Sequence, residues 1–199
     1  MGLCSPRTSS YPIVASITND HRSLPDHALT AEEDGQLLAD EPLVIAPVRA
    51  DYGFNIRLGA GVFVNFNATF IDTCQVSIGA RTLCGPNCNF YSGTHPLDPA
   101  VRMGMSGPEL GKPIAIGQDC WLGGNVTILP GITVGRGCSI GAGSVVTKCK
   151  NIPNFHVAAG NPARVIRRIE TAMDPSQSTT AVPASELVKE GTEKLLVGQ

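Results

Sequence analysis

Between Ile116 and Ile152 an aliphatic residue returns at every sixth position: Ile116, Leu122, Ile128, Val134, Ile140, Val146 and Ile152. A glycine follows several of them directly, at Gly117, Gly123, Gly135 and Gly141. Period six fits neither an amphipathic helix nor a meander of hairpins. It predicts a hexapeptide-repeat solenoid, a parallel β-helix whose coils bury their apolar edges only by stacking. The same beat runs through Leu58, Val64 and Phe70, pauses for two extra residues, and resumes at Ile78, Cys84 and Phe90. With three hexapeptides to a coil, these segments make two coils, the first slightly enlarged.

Residues 93–113 break the beat with Gly93, Thr94, His95, Pro96, Asp98, Pro99, Gly104, Gly107, Pro108, Gly111 and Pro113. A long insertion between regular coils should project as a surface loop, where function concentrates. Before the first coil, residues 41–57 read as an extended lead-in. Residues 1–40 form a separate arm without periodicity, with a short helix expected from Thr30 to Ala39, capped by Thr30 with Glu33 in the capping-box position. Gly160-Asn161-Pro162 ends the solenoid, and Ala163 to Glu170 is expected to be a short basic helix. The domain boundaries are thus 1–40 arm, 41–170 β-helix, and 171–199 linker and tail, with an amphipathic helix expected over Ser185 to Leu196. The predicted class is all-β, with an excursion loop and short terminal helices.

Composition sharpens this picture. Gly at 22 and Pro at 15, with only 16% charged residues, disfavour a helix bundle and suit a turn-rich β protein. The net charge of −2 argues against a nucleic-acid binder, which carries a basic face. No apolar stretch is long enough to span a membrane, and no secretory signal is evident. The seven cysteines form no CxxC pair. Cys84, Cys120 and Cys138 fall where small apolar side chains pack inward, so reduced core thiols in a cytoplasmic protein are expected. No metal site is expected.

Specific motifs interrupt the repeat. They are Asp51-Tyr-Gly-Phe-Asn-Ile56, Asn65-Phe-Asn67, Thr94-His-Pro-Leu-Asp-Pro99, Gly111-Lys-Pro113, Trp121-Leu-Gly-Gly124, Ile140-Gly-Ala-Gly-Ser-Val-Val-Thr-Lys148 and Ala159-Gly-Asn-Pro-Ala-Arg-Val-Ile-Arg167. Through them residues 51–170, about 60% of the chain, resemble the maltose/galactoside O-acetyltransferases. That family belongs to the left-handed β-helix acyltransferases. The resemblance implies a homotrimer with active sites between neighbouring subunits, and acetyl-CoA as co-substrate along the prism.

The resemblance also implies roles. His95 is the general base: a neutral alcohol attacks a thioester slowly, and an imidazole base contributes about 10²–10⁴ in rate. Gly124 offers a backbone N–H to the oxyanion, an interaction of about 3 kcal/mol. Asn65, Asp72 and Glu109 face the acceptor. Where family members often carry a second acid after Asp72, this chain has Thr73, which leaves acceptor identity open. Trp121, Ala142, Thr147 and Pro162 line the cofactor path, and Lys148, Arg164 and Arg167 meet the CoA phosphates. A covalent route through Cys84 or Cys88 is the minor alternative. His21, His27 and His156 have no supporting motif and are assigned structural or solvent-facing places.

The expected function is therefore acetyl transfer from acetyl-CoA to a hydroxyl of a sugar, polyol or secondary metabolite, directly and without an acyl-enzyme. Two alternatives stay open at this point: N-acetylation of an amine, and a non-catalytic β-helix scaffold.

Overall fold

The six-residue beat is laid out as short strands separated by tight corners. The computed structural model describes residues 40–147 and 151–177, together with Thr30, Glu33, Gln36 and Leu38. Strands β1 (Leu43–Val44) and β2 (Val48–Ala50) open the solenoid. The next coil holds β3 (Ile56–Leu58), β4 (Phe63–Val64) and β5 (Ala68–Ile71), and the one after it β6 (Val76–Ile78), β7 (Leu83–Cys84) and β8 (Asn89–Tyr91). The excursion carries β9 (Gly93–Thr94), helix α1 (Pro99–Arg102) and β10 (Leu110–Gly111). Regular coils resume with β11 (Ile114–Ile116), β12 (Trp121–Leu122), β13 (Thr127–Ile128), β14 (Thr133–Val134), β15 (Ser139–Ile140) and β16 (Val145–Val146). Strands β17 (His156–Gly160) and β18 (Ala163–Arg168) close the stack.

Three sheets form the faces of a prism. The first runs β1-β4-β7-β12-β15-β17-β18, the second β2-β5-β8-β13-β16 and the third β3-β6-β11-β14. Pairing along the prism is parallel until β18, which turns back antiparallel onto β17. Equivalent residues stack in register, so Val64, Cys84, Leu122, Ile140 and Ala158 form one buried row. Phe70 and Phe90 stack with ring centroids 4.8 Å apart. Fully burying a side chain of this kind contributes roughly 1.5–3 kcal/mol, which is why single coils do not fold and stacked coils do.

The stacking step changes along the chain. Val44 to Val64 and Val64 to Cys84 are steps of 20 residues, whereas Leu122 to Ile140 and Ile140 to Ala158 are steps of 18. From Cys84 to Leu122 the step is 38, because the excursion leaves and rejoins the prism between adjacent coils. The corner joining the third face to the first holds a left-handed residue in every coil: Gly61, Arg81, Asp119, Gly137 and Phe155. Arg81 and Asp119, neighbours across the excursion, form a two-pronged ion pair at 2.6 and 2.9 Å. Gly137 must be glycine: a Cβ there would lie 2.5 Å from the Phe155 ring.

Two expectations are corrected. Residues 41–57 are not a lead-in, since β1, β2 and β3 already pair with the next coil on all three faces. Ala163–Arg168 is a strand rather than a basic helix. The last parallel strand leaves an open row of backbone donors and acceptors, and a return strand satisfies them; the turn at Gly160, with φ +104°, permits the reversal. Beyond β18 the chain folds against the end of the prism. Arg136 lies 4.9 Å over the Phe155 ring and donates to the Met173 carbonyl, while Arg168 pairs with the buried Asp174. At the other end, the Glu33 N–H donates to the Thr30 hydroxyl at 3.3 Å, and Glu33 and Gln36 are helical. The rest of the expected 30–39 helix except Leu38, the arm before it, Lys148, and the tail helix over 185–196 lie outside the described residues.

Candidate active site

The order of faces divides the expected site residues into two groups on two corners. Where the second face passes to the third lie Asp72, Thr73, the whole excursion with His95 and Glu109, and Thr147 after β16. Where the first face passes to the second lie Asn65, Gly124, Ala142 and Pro162, with Arg164 opposite Ala159 on the return strand. Among the described residues no hydrogen bond or ion pair joins the groups. Trp121 stands apart from both, 59% exposed on the outer surface of the first face between Leu83 and Ser139.

At the first corner the excursion is anchored through buried polar groups. Alternation along β5 and β8 sends Ala68, Phe70 and Asp72 inward, and Cys88, Phe90 and Ser92 likewise, all of them 0% exposed. The Ser92 hydroxyl accepts the Cys74 N–H at 2.8 Å and lies 2.8 Å from the carbonyls of Ile71 and Cys74. It staples the corner to the root of the loop, three residues before His95. Strands β9 and β10 pair Gly93 with Gly111 and Thr94 with Leu110. The motif's Asp98 caps α1 by accepting the Ala100 N–H. His95 itself is exposed, and its ring has no hydrogen-bond partner among the described residues.

Asp72 is placed differently from the expectation. Its carboxylate accepts the N–H groups of Tyr52 and Gly53, each at 2.9 Å, and of Asn55 at 3.2 Å, while its carbonyl accepts the Asn55 side-chain amide at 2.7 Å. The inward position and the three backbone donors make it the organiser of the 52–55 turn rather than an acceptor contact. Glu109 is exposed and accepts a hydrogen bond from Thr73 at 2.9 Å. Sequence reasoning missed Ser92 and the task of Thr73. The inward parity of the strand was the available signal for Ser92.

The second corner is narrow. A Cβ on Gly85, Gly123 or Gly141 would lie 2.7 Å from the coil stacked on it. Gly124 is different, because its nearest obstruction would be Pro86 at 3.4 Å. Its N–H has no protein partner among the described residues, and Pro86, the equivalent position one coil earlier, has no N–H to compete. Ala142 is exposed beside it, and Ser144, accepting the Gly160 N–H at 3.1 Å, ties this corner to the return turn. Asn65 is half-buried, its side-chain oxygen accepting the Phe66 N–H at 2.8 Å. Pro162 is exposed in the return turn, and Arg164 and Arg167 are exposed on β18.

The two thiols weighed for a covalent route, Cys84 and Cys88, do not offer a nucleophile. Burial pushes the Cys84 thiol well up, with Cys88 adding to the effect, and burial pushes Cys88 up to about 11. Both stay protonated near neutral pH, and a protonated thiol is not the reactive form. All five described cysteines are free. His156, expected to be structural, has its Nδ1 2.8 Å from the Asn154 carbonyl. No group of three or more potential metal ligands is assembled among the described residues, and none of their helices is long and apolar enough to cross a membrane.

Comparison with known proteins places this geometry. Residues 113–148 match the model of the hexapeptide repeat of succinyl-transferase. A Dictyostelium discoideum protein named as an acetyltransferase is 40% identical over 168 residues, 84% of this chain and 85% of that protein. The chain belongs to the maltose/galactoside O-acetyltransferase family. A Schizosaccharomyces pombe protein, also named as an acetyltransferase, is 46% identical over 129 residues, 65% of this chain and 60% of its own length. Among solved structures, a maltose O-acetyltransferase from Clostridium difficile is 38% identical with a TM-score of 0.62, covering 83% of this chain and 88% of that one. A hexapeptide-repeat acetyltransferase from Vibrio cholerae, solved with acetyl-CoA, is 29% identical with a TM-score of 0.63, over 83% of this chain and 87% of that one. A galactoside acetyltransferase in complex with coenzyme A is 30% identical with a TM-score of 0.58, over 92% and 90%. This member of the family is a left-handed parallel β-helix and a CoA-dependent acetyltransferase, so the alternative of a non-catalytic scaffold falls away.

Proposed function

We propose that the chain transfers the acetyl group of acetyl-CoA directly to a hydroxyl of a small molecule, a sugar, polyol or secondary metabolite, with His95 as general base. The observation that carries this reading is the separation of complementary groups. An unpartnered imidazole stands on the excursion at one corner, and an unpartnered Gly124 N–H stands at another. A site built from both is completed when the excursion of one copy meets the first-to-second corner of its neighbour. The exposed apolar loop residues Leu97, at 94%, and Met105, at 103%, favour burial in such an assembly. A homotrimer fits the three-faced prism, and the five free thiols among the described residues fit the reducing cytoplasm.

The chemistry then runs in one displacement. His95 removes the proton from the acceptor hydroxyl as its oxygen attacks the thioester carbonyl. The developing oxyanion takes the Gly124 N–H, a donor fixed by the coil beneath it. Collapse forms the ester, breaks the carbon–sulfur bond and expels the thiolate of CoA, which recovers the proton from the imidazolium. Asn65 and Glu109 orient the acceptor. Ala142, Thr147 and Pro162 leave a path for the pantetheine arm, Trp121 flanks it, and Lys148, Arg164 and Arg167 meet the phosphates.

The test is thiol release from acetyl-CoA with a panel of sugars, polyols, amines and hydroxylated natural products, beside His95→Ala. Hydroxyl-dependent release that falls by about 10²–10⁴ in His95→Ala, with CoA binding intact, is expected. Release with amines alone would replace the hydroxyl acceptor by an amine, and equal rates in both proteins would remove His95 from the mechanism.

A further inference from the structure

Thr73 uses its hydroxyl within the protein. It donates to Glu109 Oε1 at 2.9 Å. The bond passes over the α-carbon of Gly93, since a Cβ at Gly93 would lie 2.5 Å from Thr73 Oγ1 and 3.3 Å from Glu109 Oε1. Three separate segments therefore meet at one point: the 72–75 corner, the root of the excursion and the start of its return. The ribbon pairs Gly111 with Gly93 and Leu110 with Thr94. Directly beyond this last pair the two strands lead into His95 and out of Glu109. Glu109 Oε2 has no protein partner among the described residues, so it is left as an acceptor of hydrogen bonds.

We propose that Thr73 is a specificity-determining positioning residue, fixing Glu109 so that its second oxygen binds a hydroxyl adjacent to the one His95 deprotonates. The inference rests on the reading of His95 as the base. A hydroxyl held by a carboxylate that is itself anchored meets a preorganised partner, whereas an unanchored glutamate must first lose its rotamer freedom. Thr73 does not touch the acceptor and acts only through Glu109.

The experiment compares Thr73→Val, Thr73→Ser, Glu109→Gln and the Thr73→Val/Glu109→Gln double variant in the thiol-release assay, with maltose and a methyl galactoside as probes. Thermal midpoints and acetyl-CoA KM are measured in parallel. Thr73→Val should raise the acceptor KM roughly tenfold, the scale of one charge-assisted hydrogen bond, with acetyl-CoA KM unchanged. Thr73→Ser should restore it to within about twofold, and Thr73→Val should add little in the Glu109→Gln background, because coupled residues are non-additive. Unchanged acceptor KM in Thr73→Val, failure of serine to rescue, or fully additive effects would each overturn the proposal while leaving His95 as the base. If the wild type releases no thiol with either probe while turning over an amine or a mono-hydroxyl acceptor, the second hydroxyl contact at Glu109 is overturned and the proposal with it. No release with any acceptor would sink both readings together.

Discussion

Substitution of Asp72 by Asn separates a turn organiser from an acceptor contact. The carboxylate serves three backbone donors, with Tyr52 on one oxygen and Gly53 and Asn55 on the other. Asparagine has one oxygen. In its better orientation it keeps Gly53 and Asn55 and turns an NH₂ toward the Tyr52 N–H, which loses its partner. One hydrogen bond to a charged group contributes about 1.5–3 kcal/mol, and the stranded N–H adds a cost of about 1–3 kcal/mol where water cannot reach it. Tyr52 is itself exposed, so the lower part of the second range applies, and the expected loss is about 2–4 kcal/mol. For a chain of this size that corresponds to a fall of roughly 5–15 °C in Tm. Thermal unfolding by circular dichroism reads the stability, and thiol release reads acceptor KM in the surviving fold. The expected outcome is a lowered Tm with acceptor KM changed by less than about threefold, a shift below 1 kcal/mol. An unchanged Tm with a tenfold rise in acceptor KM would refute the assignment and return Asp72 to the acceptor site.

Three further outcomes follow from the packing. Gly123→Ala would drive a Cβ to 2.7 Å from the Ala142 backbone nitrogen, so it should cost about 1–3 kcal/mol and raise acetyl-CoA KM at the corner that carries Gly124, read by denaturant unfolding and saturation kinetics. Asp174 is raised by burial, but hydrogen bonds from Ser176 and Arg168 more than offset this and hold its carboxyl below the usual range. Its contribution to stability is therefore present above the ordinary carboxylate range and lost as pH falls through its lowered value; Asp174→Asn should lower Tm near pH 7 and narrow the gap from wild type in acid, and a gap that widens in acid would contradict the sign. Cys88→Ala should keep thiol release within a few-fold of wild type, and loss comparable with His95→Ala would revive the covalent route.

Much of the scaffold could be read from the chain because the fold repeats its own instruction. A period of six with glycines after the aliphatic positions leaves few architectures, and the stacked row from Val64 to Ala158 follows it. The excursion was visible as the stretch where that instruction stops. What the pattern hid were effects of edges and parity. Ala163–Arg168 carries enough arginine to suggest a helix, but an unpaired sheet edge beside it decides its conformation. Asp72 looks like a polar residue near a site motif, yet it lies two residues beyond Phe70 on the same inward side of β5, which commits it to the interior. Ser92 stands in the same relation to Phe90. The division of His95 and Gly124 between two corners could not be read from spacing, because it depends on which face each strand occupies.

The 38-residue step from Cys84 to Leu122 has a bearing on how such enzymes diversify. Arg81 pairs with Asp119 and Cys84 with Leu122 as though the excursion were not there. Doubling a loop adds only about 0.6 kcal/mol of closure entropy, so the coils above and below are nearly indifferent to what is inserted between them. The segment bearing His95 and Glu109 is thus a side branch whose length and sequence can drift without disturbing the axis that stacks the coils. On the proposed reading of the site, acceptor preference can evolve on that branch while the Gly124 corner stays constrained by the close approach of neighbouring turns, leaving one half of the proposed reaction free to change and the other held in place.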